Sequence, residues 1–357
     1  MANTTSTATV ASNAKIFTQF NTEDVIANQL QTITDAVWST GTGELTTLAT
    51  SSAQATGSSV SGRYYVDVYQ TDTGSVNAAV QFSIAYGNYL GSGSKDFDGA
   101  QNTALTPSKA VYSQYANWLL QQGQTQFKHT GSTIMTHFIA IALQRARMKG
   151  KLDPGNWQLS LSNTNEMHMI DDSSLSTTSN TSYTLAGAYY NVVSGSLSAT
   201  GTVTIYSPTT YVGLVYPDAG IIILDCAQIQ AGVGGTTFNT GSDTDPNPRN
   251  HLYAYGMISA STVLGNGFQA RNAQSIKSNY YFVRVKNTEY NYSNNPSFIT
   301  GSVGDLKYNS FAKDPKVYVT TVGLYNPNNE LMAVAKLSKP LLKDFTRELL
   351  VRVKIDF

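Results

Sequence analysis

The chain has 357 residues and no net charge, because 23 Lys and Arg residues balance 23 Asp and Glu residues. Charged residues make up only 13% of it, against about 25% in an ordinary soluble domain. Ser, Thr, Asn and Gly take their place, together with 22 Tyr and 13 Phe. Because such a surface carries little charge, repulsion between molecules opposes their association only weakly. This composition is more typical of a subunit of a large assembly than of a freely diffusing enzyme. The balanced charge also makes nucleic acid an unlikely partner.

Two further features narrow the class of protein. No stretch approaches the roughly 20 consecutive apolar residues of a membrane span, so we expect no membrane insertion. The first residues, MANTTSTATVASN, lack the positive region and apolar core of a secretory signal. The single cysteine, Cys226, excludes an intramolecular disulfide, and we interpret it as a buried strand residue because it follows the apolar residues 221–224.

Residues 1–37 are predicted to form an N-terminal arm and a short helix. Residues 1–13 are small and polar, a composition that we expect to become ordered only on a partner. In the following KIFTQFNTEDVIANQLQ, Thr22 suits a helix N-cap and Glu23 and Asp24 suit the first turn.

Residues 38–132 are predicted to form a subdomain of one β-hairpin and one helix. The runs RYYVDVYQ and SVNAAVQFSIAYGN flank a turn at residues 71–74. The segment ALTPSKAVYSQYANWLLQQG predicts a helix, with Thr106 as N-cap, Pro107 at the first position and Gly123 after the end. Its buried stripe is expected to contain Val111, Tyr115, Trp118, Leu119 and Gln122.

Residues 133–357 are predicted to form a β-sandwich domain, either separate or continuous with the preceding part. The predicted strands are TIMTHFIAIALQRARMKG, NWQLSLS after a turn at LDPG, EMHMI, SYTLAGAYYNVVSGSL, GTVTIYS, YVGLVYPDAGIIILD, LYAYGMISA and NYYFVRVKN. A hairpin around residues 326–329 follows, and then a last strand whose apolar face includes Phe357. The fold class is therefore mainly β, an antiparallel β-sandwich-like architecture with one or two short helices and an extended N-terminal arm.

The histidines offer little catalytic chemistry. His129, His137, His168 and His251 show no metal-binding spacing. His168 lies near Glu166, Asp171 and Asp172, but a strand followed by an Asp-rich turn explains this grouping. We therefore assign no catalytic, cofactor-binding or metal-binding residue and expect a protein without enzymatic activity. A pair of carboxylates for glycoside hydrolysis stays open, since two such residues can come from any two strands.

Two segments are candidate partner contacts. In RARMKGK, Arg145, Arg147, Lys149 and Lys151 occupy every second position, so an extended chain would align them in a basic ridge. That ridge would contact an acidic partner or DNA, and the alternative is a solvated strand face.

The second candidate is the loop at residues 287–300. Its Tyr and Asn side chains offer contact area and adaptable hydrogen bonds, and a self-packed surface loop is an equally good interpretation. The proposed contact residues of this loop are Tyr290, Tyr292, Asn294 and Asn295.

Three segments resemble virion structural proteins of T-even-like tailed phages, especially phages of marine and cyanobacterial hosts. These are RARMKGKLDPGNWQLSLS, NYYFVRVKNTEYNYSNNPSF, and the last 44 residues from DPKVYVTTVGLYNPNNELMAVA to RELLVRVKIDF. The resemblance implies a tail component, more narrowly a baseplate wedge subunit, which is made in the host cytoplasm and resides in the virion. Its implied partners are other tail and baseplate proteins and further copies of the chain, and it implies no cofactor.

Other virion roles stay open beside this one. A tail-fibre or receptor-binding protein, or a neck or adaptor protein, shares the same β-rich, weakly charged style. A polysaccharide-degrading tail enzyme is the remaining alternative.

Overall fold

The computed structural model describes most of the chain, namely residues 18–38, 43–55, 64–91, 108–129, 134–175, 182–198, 200–235, 238, 250–263, 267–301 and 303–357. The described part is mainly β and its large sheet is antiparallel, which confirms the predicted fold class. The arm predicted at residues 1–13 and the helix start predicted at Thr106 and Pro107 lie outside the described residues.

The described strands are β1 (Val25–Ala36), β2 (Glu44–Leu45), β3 (Tyr65–Tyr69), β4 (Val80–Asn88), β5 (His137–Leu143), β6 (Lys151–Ser162), β7 (Glu166–Asp171), β8 (Ser182–Thr184), β9 (Gly187–Leu197), β10 (Val203–Tyr216), β11 (Ile221–Asp225), β12 (Phe268–Val285), β13 (Ile299–Thr300), β14 (Asp305–Leu306), β15 (Val317–Tyr325), β16 (Leu331–Lys343) and β17 (Leu349–Asp356).

The described helices are α1 (Ser52–Ala55), α2 (Ser108–Leu119), α3 (Arg145–Met148), α4 (Cys226–Val233), α5 (Asn250–Val263) and α6 (Ser310–Lys313). Three of them are single turns, but α2, α4 and α5 have eight residues or more. The expectation of one or two short helices is therefore wrong for the described part of the chain.

The chain divides into two compact units. The central unit lies within residues 32–275, and the terminal unit combines the described residues 18–31 with residues 276–357. These limits differ from the predicted domain boundaries at residues 37 and 132. The difference arises because β4 pairs with β5 across the second boundary, while residues 18–31 belong to the same unit as the last part of the chain.

The central unit is built on one antiparallel sheet. Its strand order is β12-β6-β7-β9-β10-β11-β5-β4-β3, and each neighbouring pair is antiparallel. Alternate residues of β5 face opposite sides, so Ile139 and Ile141 join one hydrophobic core and Phe138 and Ala140 join the other. Helices α4 and α5 contribute to the first core and α2 to the second. Both sheet faces are thus covered by helices.

Two segments have a secondary structure that differs from the predicted one. The segment around VIANQLQ, predicted as a helix, is strand β1, and only the turn Thr22–Asp24 before it is helical, as a 3₁₀ turn. The segment LYAYGMISA, predicted as a strand, belongs to α5. Its buried residues Ala254, Met257 and Ile258 follow helical spacing, which explains the outcome.

Helix α2 confirms the predicted helix, but of the predicted buried stripe only Leu119 is fully buried. The buried residues are Ser108, Tyr112, Ala116 and Leu119, whereas Trp118 is 56% exposed. The hydroxyl of Tyr112 donates to the Met135 carbonyl at 2.8 Å and accepts from the Phe127 N–H at 2.9 Å. The helix buries the face that contains Tyr112, because the Tyr112 ring is then buried with both hydrogen bonds of its hydroxyl made. This arrangement is more stable than the rotation of the helix that would bury Trp118.

The turn predicted at LDPG is instead part of β6. Leu152 pairs with Asn272 and Trp157 with Ala270, so the residues between them form a bulge on the β6 side. Gly155 lies at its centre with a φ of 76°, a conformation that glycine adopts without steric cost. The predicted apolar face of NWQLSLS is confirmed, since Trp157, Leu159 and Leu161 are buried.

The terminal unit contains two β layers. Strand β17 pairs with residues 278–285 of β12, and the hairpin of β15 and β16 shares a hydrophobic core with this pair. The predicted hairpin and the predicted alternation of the last strand are both confirmed, since Val351 and Val353 are buried. The backbone of Phe357 pairs with Lys277 as expected, but its ring is 65% exposed.

Candidate interaction surfaces

The predicted basic ridge is not formed. Arg145 and Arg147 belong to the single helical turn α3, and Lys149 follows with a φ of 57°, so the four side chains do not alternate along one extended segment. Arg145 donates to the Asp218 carbonyl at 2.7 Å, and Lys149 forms an ion pair with Asp35 at 2.9 Å. Lys151 opens β6. The ridge would have required an extended chain, and charge spacing alone cannot distinguish a turn of helix from a strand. Contact of these four residues with a partner stays a prediction.

The loop at residues 287–300 is bonded to the terminal unit itself. The hydroxyl of Tyr290 lies 3.0 Å from that of Thr18, and the hydroxyl of Tyr292 donates to the Gly304 carbonyl at 3.1 Å. Asn294 and Asn295 are exposed, and the Asn295 carbonyl accepts from the Phe298 N–H at 2.8 Å. The structure therefore brings the four predicted loop residues onto one self-bonded loop, and their contact with a partner stays a prediction.

A buried lysine holds the start of this loop. Lys343, the last residue of β16, is fully buried. Its Nζ donates to the carbonyl of Asn287 at 2.9 Å, to Oδ1 of Asn291 at 2.8 Å and to the carbonyl of Asp344 at 2.9 Å. The three acceptors satisfy the three donors of an ammonium group. Sequence reasoning missed this contact, because nothing local marks Lys343 as different from the exposed lysines of β16.

Four aromatic rings pack together, two from this loop and two from residues that follow it. Phe298 and Phe311 are stacked with centroids 4.6 Å apart, and Tyr292 and Tyr308 each meet one of these rings edge-on. Tyr292 is 48% exposed and Tyr308 55% exposed. The stack gives both tyrosines a fixed orientation toward solvent.

The β15–β16 hairpin exposes four large apolar side chains close together in the sheet, which we call the hairpin patch. It consists of Tyr325, Leu331, Met332 and Val334, of which Met332 is 68% and Val334 57% exposed. Tyr325 pairs with Leu331 across the two strands. Within the described residues, neither β15 nor β16 pairs with any third strand.

Gly323 leaves room for two side chains of the hairpin patch. Gly323 pairs with Val334, and a Cβ added there would lie 2.9 Å from a ring carbon of Tyr325 and 3.2 Å from a methyl group of Leu331. The missing side chain therefore allows both neighbours to lie across the strand. Scattered exposed apolar residues are ordinary, whereas a contiguous group of them marks an interaction surface.

A His–Asp pair is buried in the central unit. His129 Nε2 lies 2.8 Å from Asp225 Oδ2, and both side chains are almost fully buried. The other carboxylate oxygen accepts from the Ala227 N–H at 2.9 Å and caps α4. Cys226 is buried as predicted, but it begins α4 instead of ending a strand, and burial raises the pKa of its thiol well above the ordinary value.

The acidic grouping near His168 is a structural network. Asp171 is fully buried and accepts from the Gly155 N–H at 2.8 Å and from the indole N–H of Trp157 at 2.5 Å. Burial raises the pKa of Asp171, and these donors act in the opposite direction. His168 Nδ1 lies 2.8 Å from the Ser160 hydroxyl. The carboxylate thus fixes the β6 bulge, as its hydrogen bond to Gly155 shows.

The described residues were compared with the requirements of a metal-binding cluster and of a membrane-spanning helix. No group of three or more His, Cys, Asp or Glu side chains there is arranged to hold a metal ion. None of the described helices has the length and apolar character needed to cross a bilayer.

Comparison with known proteins gives no relative. No protein-family model, curated protein or solved structure matches the chain.

Proposed function

We propose that the chain is a structural subunit of a bacteriophage tail, most specifically of the baseplate wedge, and that it acts through contacts with neighbouring subunits. The hairpin patch is the observation that carries this proposal. In a monomer, the hairpin patch exposes apolar surface to water without any stabilising effect. A neighbouring subunit that covers Tyr325, Leu331, Met332 and Val334 would bury this surface, which lowers the free energy of the complex.

Composition and sequence resemblance support the same role. The low charge of the chain leaves association weakly opposed. The hairpin itself lies in one of the three segments that resemble virion proteins of tailed phages. Other tail proteins and further copies of the chain are the proposed partners, and the virion is the proposed location.

The test is made on purified virions of the phage that encodes the chain. Mass spectrometry should find its peptides in tail-containing particles. An amine-reactive cross-linker should join Lys336, which follows Val334 on the exposed side of β16, to a different virion protein. Lys354, on the exposed side of β17, serves as the internal comparison. Absence of the chain from the virions would refute the proposal.

A receptor- or glycan-binding tail protein is the second candidate. The exposed rings of Tyr292 and Tyr308 at the two ends of an aromatic stack favour it, because fixed aromatic rings provide binding area at low entropic cost. Binding of the chain to a glycan array, and its loss in Tyr308→Ala, would support this candidate. A blank array together with the Lys336 cross-link would favour the structural role.

A further inference from the structure

The contact between Lys343 and Asn291 in the terminal unit brings together two groups that can react. The amine of Lys343 lies 2.8 Å from the side-chain oxygen of Asn291. The amide carbon is therefore at most about 4 Å from Nζ, since only one C=O bond separates it from that oxygen. Reacting atoms in enzymes and intramolecular reactions start from about 3–3.5 Å, so a small rotation of the amide suffices.

The side-chain amide of Asn291 is held from its other end as well. Its Nδ2 donates to the carbonyl of Asn287 at 2.7 Å, and the same carbonyl accepts from Lys343. The amine and the amide are thus fixed on one acceptor, which removes most of the entropy cost of bringing them together.

The burial of Lys343 increases the small fraction of the amine that is uncharged and nucleophilic, although the three acceptors also suit the ammonium form. Burial lowers the pKa of Lys343, while the nearby carboxylates of Asp344, Glu289 and Glu348 raise it. Of the three, Glu289 is fixed to the loop, because it accepts from the Lys286 N–H at 3.0 Å.

We propose that Lys343 and Asn291 join covalently through an isopeptide bond. The lone pair of Nζ attacks Cγ of Asn291, the bond between Cγ and Nδ2 breaks, and a proton passes from Nζ to the departing nitrogen. The products are a secondary amide and one molecule of ammonia, so no oxidant, reductant or other co-reactant is needed. This inference does not depend on the proposed tail function.

The bond would tie the end of β16 to the loop that follows β12. The intervening residues contain the β15–β16 hairpin, so the closed ring would include the hairpin patch. A covalent ring of this kind restricts the unfolded chain and resists mechanical opening.

The test is mass spectrometry of the full-length wild-type chain after incubation at neutral and at mildly alkaline pH. We expect the intact mass to be lower than the sequence mass by one ammonia. Cyclisation of an Asn with its own backbone also releases ammonia, so tryptic peptides must identify the bond. Peptide 287–307 should be joined to peptide 337–347, with trypsin failing to cleave after Lys343.

Variants separate the bond from other causes. Lys343→Met and Asn291→Ala should keep the full sequence mass, whereas Asn291→Asp should form the same link with loss of water. Lys336→Met, which changes an exposed lysine of the same strand, should still lose ammonia. If the wild-type chain yields separate peptides with normal cleavage after Lys343, the proposal is overturned, whatever the variants do.

Discussion

Replacing Asp225 tests whether the buried His–Asp pair holds the central unit together. Asp225→Ala removes the N-cap of α4, which costs about 1 kcal/mol. It also leaves a buried ring nitrogen of His129 without its partner, which costs about 1–3 kcal/mol. The free energy of unfolding should therefore fall by about 2–4 kcal/mol. Asp225→Asn keeps an oxygen for the cap and should recover more than half of this loss.

Tryptophan fluorescence during urea unfolding is the appropriate assay. The three tryptophans, Trp38, Trp118 and Trp157, all belong to the central unit, so the signal reports this unit alone. A double-mutant cycle with His129→Ala isolates the pairwise contribution. A neutral surface substitution changes the free energy of unfolding by no more than about 0.5 kcal/mol. If Asp225→Ala changes it by no more than this, the argument from burial is wrong.

Three further predictions concern other parts of the chain. Gly256→Ala in α5 should stabilise the central unit by about 1 kcal/mol in the same urea assay, because nothing lies within 4 Å of the added Cβ; a loss of stability would contradict this. Val334→Asp should abolish cross-linking of Lys336 to its virion partner, whereas Leu350→Asp, at a similarly exposed position of another strand, should not; equal effects would exclude the hairpin patch. The hydrogen bond from Lys149 holds the pKa of Asp35 below its ordinary value of 3.8. The pair therefore stabilises the folded state at pH values above the ordinary carboxyl pKa. This stabilisation is lost as the pH falls through the lowered pKa. Lys149→Gln should raise the Asp35 pKa in an NMR titration, and an unchanged value would refute the pairing.

Local patterns predicted much of the β structure. The hairpin of β15 and β16 and the alternation of β17 followed from turn residues and a period of two, and both are confirmed. In α5, Ala254, Met257 and Ile258 already show helical spacing, yet the segment was predicted as a strand. Its aromatic and branched residues outweighed that spacing, since short apolar runs fit either structure.

The candidate sites depend on contacts that no local pattern contains. His129 and Asp225 are 96 positions apart, and Lys343 and Asn291 are 52 positions apart. Only the folded chain brings such groups together. The apolar residues of the hairpin patch were visible in the sequence, but their exposure was not, because a strand pattern does not reveal whether its second face is covered.

Oxidation of Met332 tests the central claim most directly. Met332 is 68% exposed in the hairpin patch, whereas Met169 in the central core is fully buried and serves as the internal control. Exposed methionine is readily converted to its sulfoxide. Met332 should be oxidised rapidly in the isolated chain and protected in intact virions, with Met169 unreactive in both. Equal oxidation of Met332 in the two samples would show that no neighbouring subunit covers the hairpin patch.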